Sequence, residues 1–374
     1  MAFGLAKSIS SHVNAMVLDF DRSDSTTYID GVKCVAIRNP FKLYKTRGLS
    51  VYSWNAFTSA LILFRFVVRH KWYKKHLVLH FHNGLQFASF TVLDHAFLRR
   101  KNLRYVYSHH SPRWMDSRLI SIWEKVLAVP TELYALTHAA LATFESEAIL
   151  DSMSKFWKIP KNSIVLPNGV DSDYFKRDNY SEKVEPYGIL YAARIKRQKD
   201  QLTVVRAFKE VVLQEPKARL LLLGDPEDLG YYKSVKSEVR RLGLSGKVQF
   251  NRSVDITSLN KTRARFQIHL VYSSYTGFDV AVGETLSFGA ACVFSDIPTL
   301  KGIARHRVNC LLVPPASADA LASALLYLLR NPAEIPLLGE MARKTAEDAL
   351  SWKVLSRDFL LALDKTMPDF SPPE

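Results

Sequence analysis

The apolar positions of the chain fall into short runs that alternate with stretches of helical periodicity, in both halves of the sequence. The runs predict strands at residues 15–20, 32–37, 77–82, 103–108 and 139–143, and then at 187–192, 219–224, 248–250, 268–272 and 291–294. Short strands that alternate with helices are typical of parallel sheets covered by helices. The pattern therefore predicts an α/β protein with two parallel-sheet domains.

Turn-forming residues separate the two halves. Pro167, Asn168 and Gly169 lie together in the segment 166–173, which is the best place for a domain boundary. We expect an N-terminal domain over residues 1–167, a C-terminal domain over 168–351 and a last amphipathic helix. A doubly wound domain normally opens with a strand, a glycine turn and a helix. Gly4 lies in what looks like that turn, so either the strand is encoded upstream or the first sheet is built without it.

The composition is that of an ordinary globular protein. Of 374 residues, 48% are hydrophobic and 23% are charged, which excludes a disordered or collagen-like chain. The cysteines Cys34, Cys292 and Cys310 are too few for a disulfide framework and favour a reducing compartment. We expect no secretion signal, and Arg65 with several polar residues argues against a membrane span at residues 49–68.

Positive charge is concentrated in the N-terminal part of the chain, which carries most of the net charge of +15. Residues 31–93 contain ten bases and no acid, and residues 31–115 contain fifteen bases against Asp94 alone. Such asymmetry indicates an anionic partner, either nucleic acid or an anionic membrane. Because no nucleic-acid-binding module is recognisable, we expect no nucleic-acid partner.

Part of this basic region predicts an amphipathic helix. Its apolar positions recur at helical spacing: Phe57, Leu61, Phe64, Val68 and Trp72. Its bases lie off that stripe: Arg65, Arg69, Lys71, Lys74 and Lys75. Such a helix either lies in a lipid interface or packs its apolar stripe on its own domain. The sequence leaves both interpretations open.

The C-terminal half contains residues suited to holding a diphosphate. Arg194 and Lys199 follow a predicted strand, where two cations either neutralise phosphates or merely solvate the start of a helix. Gly277 follows the strand at 268–272 and precedes a helix, so backbone N–H groups can approach an anion there. Glu284 is either an acid favoured at a helix start or a carboxylate that accepts the hydroxyls of a ribose.

Histidines mark the N-terminal half. His109 and His110 follow the strand at 103–108, and the carboxyl ends of strands are where open α/β sheets bind ligands. His80 and His82 lie on one face of the preceding strand. Because no carboxylate with ligand spacing accompanies them, we expect no metal site. The absence of GxxxxGK excludes a P-loop NTPase, and the absence of GxGxxG argues against a nicotinamide enzyme.

Six segments, in order, resemble the family 4 retaining glycosyltransferases of the GT-B fold. They are VLPNGVD at 165–171, ARIKRQKD at 193–200, LLGD at 222–225, GF and ETL within 277–286, SDIP at 295–298 and NCLLV at 309–313. The resemblance is strongest over residues 164–315. It implies two Rossmann-like domains facing a cleft, with the last helix, in residues 352–374, crossing back to the first domain.

The resemblance also implies a role for individual residues. His110 would be the active-site histidine, Arg194 and Lys199 would stabilise the leaving diphosphate, and Glu284 would bind the ribose. Gly277 and Phe278 would donate backbone N–H groups, and Gly4 would be the remnant of a glycine loop at the donor phosphates. Thr276 stands where the family has a glutamate that contacts the donor sugar, and Asp279, in place of a glycine, would partly substitute for it.

We therefore expect a glycosyltransferase that needs no metal or other cofactor. It would bind a nucleoside diphosphate-sugar on the C-terminal domain and a lipid-linked or cell-envelope glycan on the N-terminal domain. The basic region predicts a cytoplasmic protein that is peripheral on the inner face of the membrane. The alternative is a catalytically impaired relic that binds nucleotides, because Thr276 replaces a family carboxylate.

Overall fold

The computed structural model describes residues 2–10, 15–21, 25–29, 32–38, 49–71, 77–82, 84–97, 103–110, 122–273 and 279–368. The chain divides into two compact units. Unit 1 contains Met1–Pro167 and Leu355–Glu374, and unit 2 contains Asn168–Val354.

Unit 1 contains two sheets and the helices that connect their strands. Its elements are α1 (Ala2–Ile9), β1 (Met16–Asp21), β2 (Ser25–Ile29), β3 (Val32–Arg38), α2 (Leu49–Arg69), β4 (Leu77–Phe81), α3 (Gly84–Phe97), β5 (Leu103–His109), α4 (Ile122–His138), β6 (Leu141–Phe144), α5 (Glu147–Ser154) and β7 (Ser163–Val165). One sheet has the order β4-β5-β6-β7 and is parallel throughout. The other has the order β1-β3-β2, with β2 antiparallel to β3.

Aromatic side chains dominate the core of unit 1. Phe81, Phe87 and Phe90 are buried with Tyr105, and in the ring contacts that join β4, α3 and β5 the centroids lie 5.4–6.4 Å apart. Tyr105 donates a 2.6 Å hydrogen bond to the buried carboxylate of Asp94 on α3. Burial and that carboxylate raise the pKa of Tyr105 above its usual range, so the phenol remains a donor.

Unit 2 is a single six-stranded parallel sheet covered by helices. Its elements are β8 (Glu185–Ala192), α6 (Gln201–Gln214), β9 (Arg219–Leu223), α7 (Leu229–Arg241), β10 (Val248–Asn251), α8 (Ile256–Arg265), β11 (Phe266–Val271), α9 (Val280–Phe288), β12 (Ala291–Ser295), β13 (Leu311–Val313), α10 (Ala318–Arg330) and α11 (Glu334–Ala349). The strand order is β10-β9-β8-β11-β12-β13. The chain first builds outward from β8 on one side and then restarts on the other side with β11. The topological switch point therefore lies at the carboxyl ends of β8 and β11, where such sheets bind ligands.

The last helix, α12 (Trp352–Thr366), begins in unit 2 and has most of its length in unit 1. In unit 1, its Phe359 is buried and stacks on His80 of β4, with ring centroids 5.4 Å apart. Ser356 of the same helix shares a 2.7 Å hydrogen bond with Ser8 of α1.

The turn-rich segment between the halves is tightly held. Leu166 and Val170 are buried, and Val170 exchanges backbone hydrogen bonds with Leu350 and Trp352 at 2.8 and 3.1 Å. A Cβ at Gly169 would lie 2.5 Å from a ring carbon of Trp352. Only glycine therefore lets the chain pass the indole without a shift.

The predicted α/β class is confirmed, and each of the ten predicted strands overlaps a strand of the structure. Strands β2, β7 and β13 were missed. β2 has the largely polar sequence STTYI, and β7 and β13 have three residues each, too few to show periodicity. The turn predicted around Gly4 is wrong, because Gly4 lies inside α1. None of the helices in the described ranges is both long and apolar enough to cross a bilayer.

Candidate functional site

The loop after β8 lies at the switch point of unit 2 and is held by its neighbours. The amide of Ile195 donates to the carbonyl of Asp225 at 2.9 Å, and the hydroxyl of Ser273 donates to the carbonyl of Gln198 at 2.9 Å. The loop follows β8, Asp225 lies beyond the end of β9 and Ser273 lies beyond the end of β11. The backbone that carries Arg194 and Lys199 is thus fixed by both strands that flank β8.

Close approach of two strand ends explains one glycine of this site. Gly224, at the end of β9, has a φ of +153°, and a Cβ there would lie 2.2 Å from the carbonyl oxygen of Ala193. A larger residue would separate the β8 and β9 loops, since the obstacle is backbone rather than a mobile side chain. The glycine of the LLGD segment is therefore required by packing.

Lys199 and Asp279 form an ion pair at the switch point. The Nζ atom of Lys199 contacts Oδ2 of Asp279, and the two side chains are 17% and 28% exposed. The other carboxylate oxygen of Asp279 accepts a 3.2 Å hydrogen bond from the amide of Ala281 and caps α9. Burial, together with the positive charges of Lys196 and Arg194, lowers the pKa of Lys199 to about 8.

Two further cations of the same loop share one carboxylate. Arg194 and Lys196 reach the same oxygen of Glu227 at 2.8 and 3.4 Å. The Arg194 side chain is 69% exposed, so this ion pair is weak and the guanidinium can turn to another anion. Arg197 of the same loop also pairs with a carboxylate, that of Asp228 at 3.4 Å, so each base of the loop has an anionic partner that a ligand with several negative charges can replace.

Glu284 lies on α9, five positions after Asp279, and it is held by a buried arginine. The guanidinium of Arg263 on α8 donates to the Glu284 carboxylate and to Oδ1 of Asn260, the latter at 3.0 Å. The Arg263 side chain is only 3% exposed and its guanidinium lies 5.3 Å from the ring centre of Phe175. Arg263 was not predicted as a site residue, because an arginine in a helix that also carries other bases gives no sequence signal. Its effect is to fix an acid in the middle of α9, so the expectation that Glu284 lies at a helix start is wrong: the helix begins at Val280.

Unit 1 carries a hydrogen-bonded row at the carboxyl ends of three adjacent strands. His82, His110 and Glu145 are the first residues after β4, β5 and β6. Nδ1 of His82 lies 3.0 Å from Nε2 of His110, and Nδ1 of His110 lies 2.5 Å from Oε1 of Glu145. We call these three residues the His110 row. Both histidines stand out in the sequence, whereas Glu145 was not predicted as a site residue.

A second row runs beside the first, two residues earlier on each strand. Nε2 of His80 lies 2.7 Å from Oγ of Ser108, which lies 2.7 Å from Oγ1 of Thr143. Residues two apart on a strand share a face of the sheet, so the two rows stack on the same face. The prediction that His80 and His82 share a face is confirmed, with ring centroids 4.4 Å apart.

Burial keeps three of these histidines neutral. It lowers the pKa of His80 and of His109 to about 3, and it lowers the pKa of His82 well below the usual value. His109 is fully buried beside Tyr107 and Phe144, and within the described ranges neither ring nitrogen has a hydrogen-bond partner. Across the described part of the chain, no three His, Cys, Asp or Glu side chains are grouped to hold a metal ion.

The predicted apolar stripe of α2 is divided: three of its residues face outward, and Phe64 packs on the core of unit 1. Ala56, Ala60, Leu63 and Val67 form the buried face of the helix. The outer face carries apolar residues and bases together: Phe57, Leu61 and Val68 are 47%, 41% and 37% exposed, and Arg65, Arg69 and Lys71 are exposed as well. The alternative that this stripe packs on its own domain is therefore wrong for these three apolar residues and correct for Phe64, whose ring centroid lies 6.1 Å from that of Phe90. Trp72, Lys74 and Lys75 lie outside the described residues.

The remaining predicted site residues are Thr276, Gly277, Phe278 and Gly4. Thr276, Gly277 and Phe278 lie outside the described residues, directly before Asp279. Gly4 lies in α1 and is half-buried. Their predicted contacts with the donor, like those of His110, Arg194, Lys199, Asp279 and Glu284, stay predictions.

Comparison with known proteins identifies the segment around the switch point. Residues 186–331 match the family model described as glycosyl transferases group 1, which covers less than half of the chain. This segment is thus similar to glycosyl transferases group 1. The predicted resemblance to glycosyltransferases of the GT-B fold is confirmed, and the assignment to family 4 stays a prediction.

Solved structures extend the likeness to nearly the whole chain. Sucrose-phosphate synthase from Thermosynechococcus elongatus matches with a TM-score of 0.78 at 18% identity, over 98% of this chain and 92% of that one. HepE from Anabaena, in complex with UDP and glucose, matches with a TM-score of 0.72 at 15% identity, over 97% and 95% of the two chains. At these identities the likeness establishes the GT-B fold.

Curated relatives are similar over part of their length. A GDP-mannose:cellobiosyl-diphosphopolyprenol alpha-mannosyltransferase from Xanthomonas campestris is 27% identical over 57% of this chain and 54% of its own. A poly(glycerol-phosphate) alpha-glucosyltransferase from Bacillus subtilis is 24% identical over 44% of this chain and 24% of its own. The matched region thus spans about half, or less, of the length of these relatives.

Proposed function

We propose that the protein is a retaining glycosyltransferase that moves a sugar from a nucleoside diphosphate-sugar to a lipid-linked or cell-envelope glycan at a membrane surface. The observation that carries the proposal is the Lys199–Asp279 pair at the β8/β11 switch point, inside the glycosyl transferases group 1 segment. A buried lysine and the start of a helix at a switch point are suited to a diphosphate.

In this proposal the donor diphosphate takes the place that the Asp279 carboxylate holds at Lys199. Breaking the bond between the sugar and the diphosphate leaves negative charge on the departing phosphate. Lys199 and the exposed Arg194 stabilise that charge once the diphosphate has replaced their carboxylate partners, Asp279 and Glu227. Cations of the protein thereby take the role that a metal has in other transferases, which is why we propose a metal-independent enzyme without a cofactor.

The two acids of this region, Asp279 at the N-cap of α9 and Glu284 within the helix, have different tasks in this proposal. Glu284 is held by Arg263, so its carboxylate is oriented before the ligand arrives and accepts the ribose hydroxyls of the donor. Asp279, once released from Lys199, is available to accept hydroxyls of the donor sugar. This task matters because Thr276 carries no carboxylate.

His110 is the proposed active-site histidine of unit 1, the acceptor unit. The attacking hydroxyl of the acceptor approaches the sugar from the face that the diphosphate leaves, which retains the anomeric configuration. The lipid-linked acceptor is proposed because the Xanthomonas relative is named for a diphosphopolyprenol acceptor and the Bacillus relative for a poly(glycerol-phosphate). HepE, which has a similar fold, is described with UDP, a nucleoside diphosphate.

The outer face of α2 supports action at the inner, cytoplasmic face of a membrane. Exposed Phe57, Leu61 and Val68 provide apolar surface beside Arg65 and Arg69, an arrangement typical of helices that lie in a lipid interface. Each base close to an anionic surface contributes about 1 kcal/mol. The protein would then be a peripheral membrane protein.

The activity is tested by release of nucleoside diphosphate from a panel of UDP-, GDP- and ADP-sugars, with lipid-linked acceptors present. We expect release with one nucleotide, loss in Lys199→Met, and no loss in Lys344→Met, which changes an exposed lysine of α11. The anomeric configuration of the product, read by NMR, tests retention. Nucleotide binding without release from any donor would favour the alternative, a nucleotide-binding relic.

The membrane surface has its own test, which is flotation with vesicles that contain phosphatidylglycerol. We expect the double variant Arg65→Glu/Arg69→Glu to lose flotation. The control Lys261→Glu/Lys344→Glu makes the same change of charge at exposed lysines of unit 2 and should float as the parent protein does. Flotation that survives reversal of both α2 arginines would reject this surface.

A further inference from the structure

The His110 row gives a buried carboxylate a task beyond the proposed roles of the site. Glu145 is 7% exposed and lies between the end of β6 and the start of α5. The next residue, Ser146, caps α5 by accepting from the amide of Ile149 at 3.3 Å. The backbone on both sides of Glu145 is therefore fixed.

The hydrogen bonds of the row determine where the protons lie. An ionised carboxylate only accepts, so the 2.5 Å contact requires a proton on Nδ1 of His110. Nε2 of His110 then faces Nδ1 of His82 at 3.0 Å. His82 is neutral and holds one ring proton, so in the neutral row it donates from Nδ1 and Nε2 of His110 accepts. A sugar hydroxyl that binds His110 takes the place that His82 holds at Nε2.

We propose that Glu145 is a positioning residue, which holds the His110 ring in one orientation and in the tautomer that leaves Nε2 for the substrate. The proposal rests on the proposed function, because it assigns Glu145 to the reaction that His110 would serve. The neighbouring row supplies the contrast. There the partner of His80 is the hydroxyl of Ser108, which donates or accepts and therefore imposes no tautomer on the ring.

The experiment measures ring nitrogens directly. Protein with ¹⁵N-labelled histidine is studied by long-range ¹H–¹⁵N correlation, and the His110 signals are assigned from their loss in His110→Asn. We expect a protonated Nδ1 in the parent protein. Glu145→Ala should move the Nδ1 shift toward that of an unprotonated nitrogen, and Glu145→Asp should restore part of the parent pattern. Glu145→Gln keeps the size of the side chain, so it serves if the alanine variant fails to fold. Ser108→Ala, in the other row, is the matched control and should leave the His110 signals in place.

Kinetics distinguish positioning from a purely structural role. With a working donor and acceptor, Glu145→Gln should lower kcat by roughly 10- to 100-fold, as expected for a misplaced group. The KM for the donor should stay near its parent value, since Lys199 and Arg194 are untouched. Unchanged His110 nitrogens in both Glu145→Ala and Glu145→Gln would overturn the proposal, and so would an unchanged kcat. If the parent protein transfers no sugar, the proposed function fails, and the NMR result still decides whether Glu145 sets the tautomer.

Discussion

The ion pair between Lys199 and Asp279 makes the sharpest prediction, because replacing each member should change nucleotide binding in opposite directions. Lys199→Met removes a charge-assisted contact to the diphosphate, which is worth about 1.5–3 kcal/mol. It also leaves the Asp279 carboxylate without its cation. Two unit charges about 5 Å apart repel by roughly 3 kcal/mol at an effective dielectric constant near 20. Together these terms predict a loss of affinity of at least about 100-fold.

Asp279→Asn should have the opposite effect. Asparagine caps a helix as well as aspartate does, so α9 keeps its N-cap while the site loses a negative charge. We expect nucleoside diphosphate to bind more tightly. The double variant Lys199→Met/Asp279→Asn should recover the part of the loss that came from repulsion, so the two changes should not be additive.

Isothermal titration calorimetry with UDP, GDP and ADP measures all four proteins of this cycle, and Lys344→Met serves as the matched control. Thermal unfolding of each variant shows whether it folds. If Lys199→Met bound every nucleotide as the parent protein does, the switch point would not be the diphosphate site. Additive effects in the cycle would mean that Asp279 and the diphosphate do not compete for Lys199.

Three other predictions concern pH and stability. The pKa of Lys199 is lowered to about 8, and a bound diphosphate raises it again, so affinity for nucleoside diphosphate should fall as the pH rises above about 8. Lys199→Arg should abolish that fall in a binding titration from pH 7 to pH 10. Arg263→Met leaves the Glu284 carboxylate without its cation and should lower the free energy of unfolding by about 3–5 kcal/mol in urea; an unchanged transition would show that the pair is not structural. Gly169→Ala places a Cβ against the Trp352 ring and should cost about 1–3 kcal/mol in the same assay, whereas a neutral result would mean that the indole moves aside.

The local pattern of the sequence determined most of the strands and the resemblance to glycosyltransferases. Runs such as residues 220–223 and 291–294 are apolar throughout because both faces of a parallel sheet are covered, so they are visible without any knowledge of their partners. The segments ARIKRQKD and LLGD likewise act locally, as a loop and a strand end. Short or polar strands such as β2 were missed, since they are held by pairing with a neighbour rather than by their own hydrophobicity.

Only the tertiary structure decided which residues meet. Lys199 and Asp279 are 80 positions apart in the sequence, and α6, β9, α7, β10 and α8 lie between β8 and β11. The two side chains meet because β8 and β11 are neighbours in the sheet. Glu145 joins His110 across 35 positions for the same reason, since β5 and β6 are adjacent. Tertiary packing also decides which side of α2 is exposed. Ala56 and Ala60 are buried, and their neighbours Phe57 and Leu61, one position later in the sequence, are exposed. Hydrophobic periodicity reports that a helix has an apolar side, and packing against its neighbours decides which side is covered.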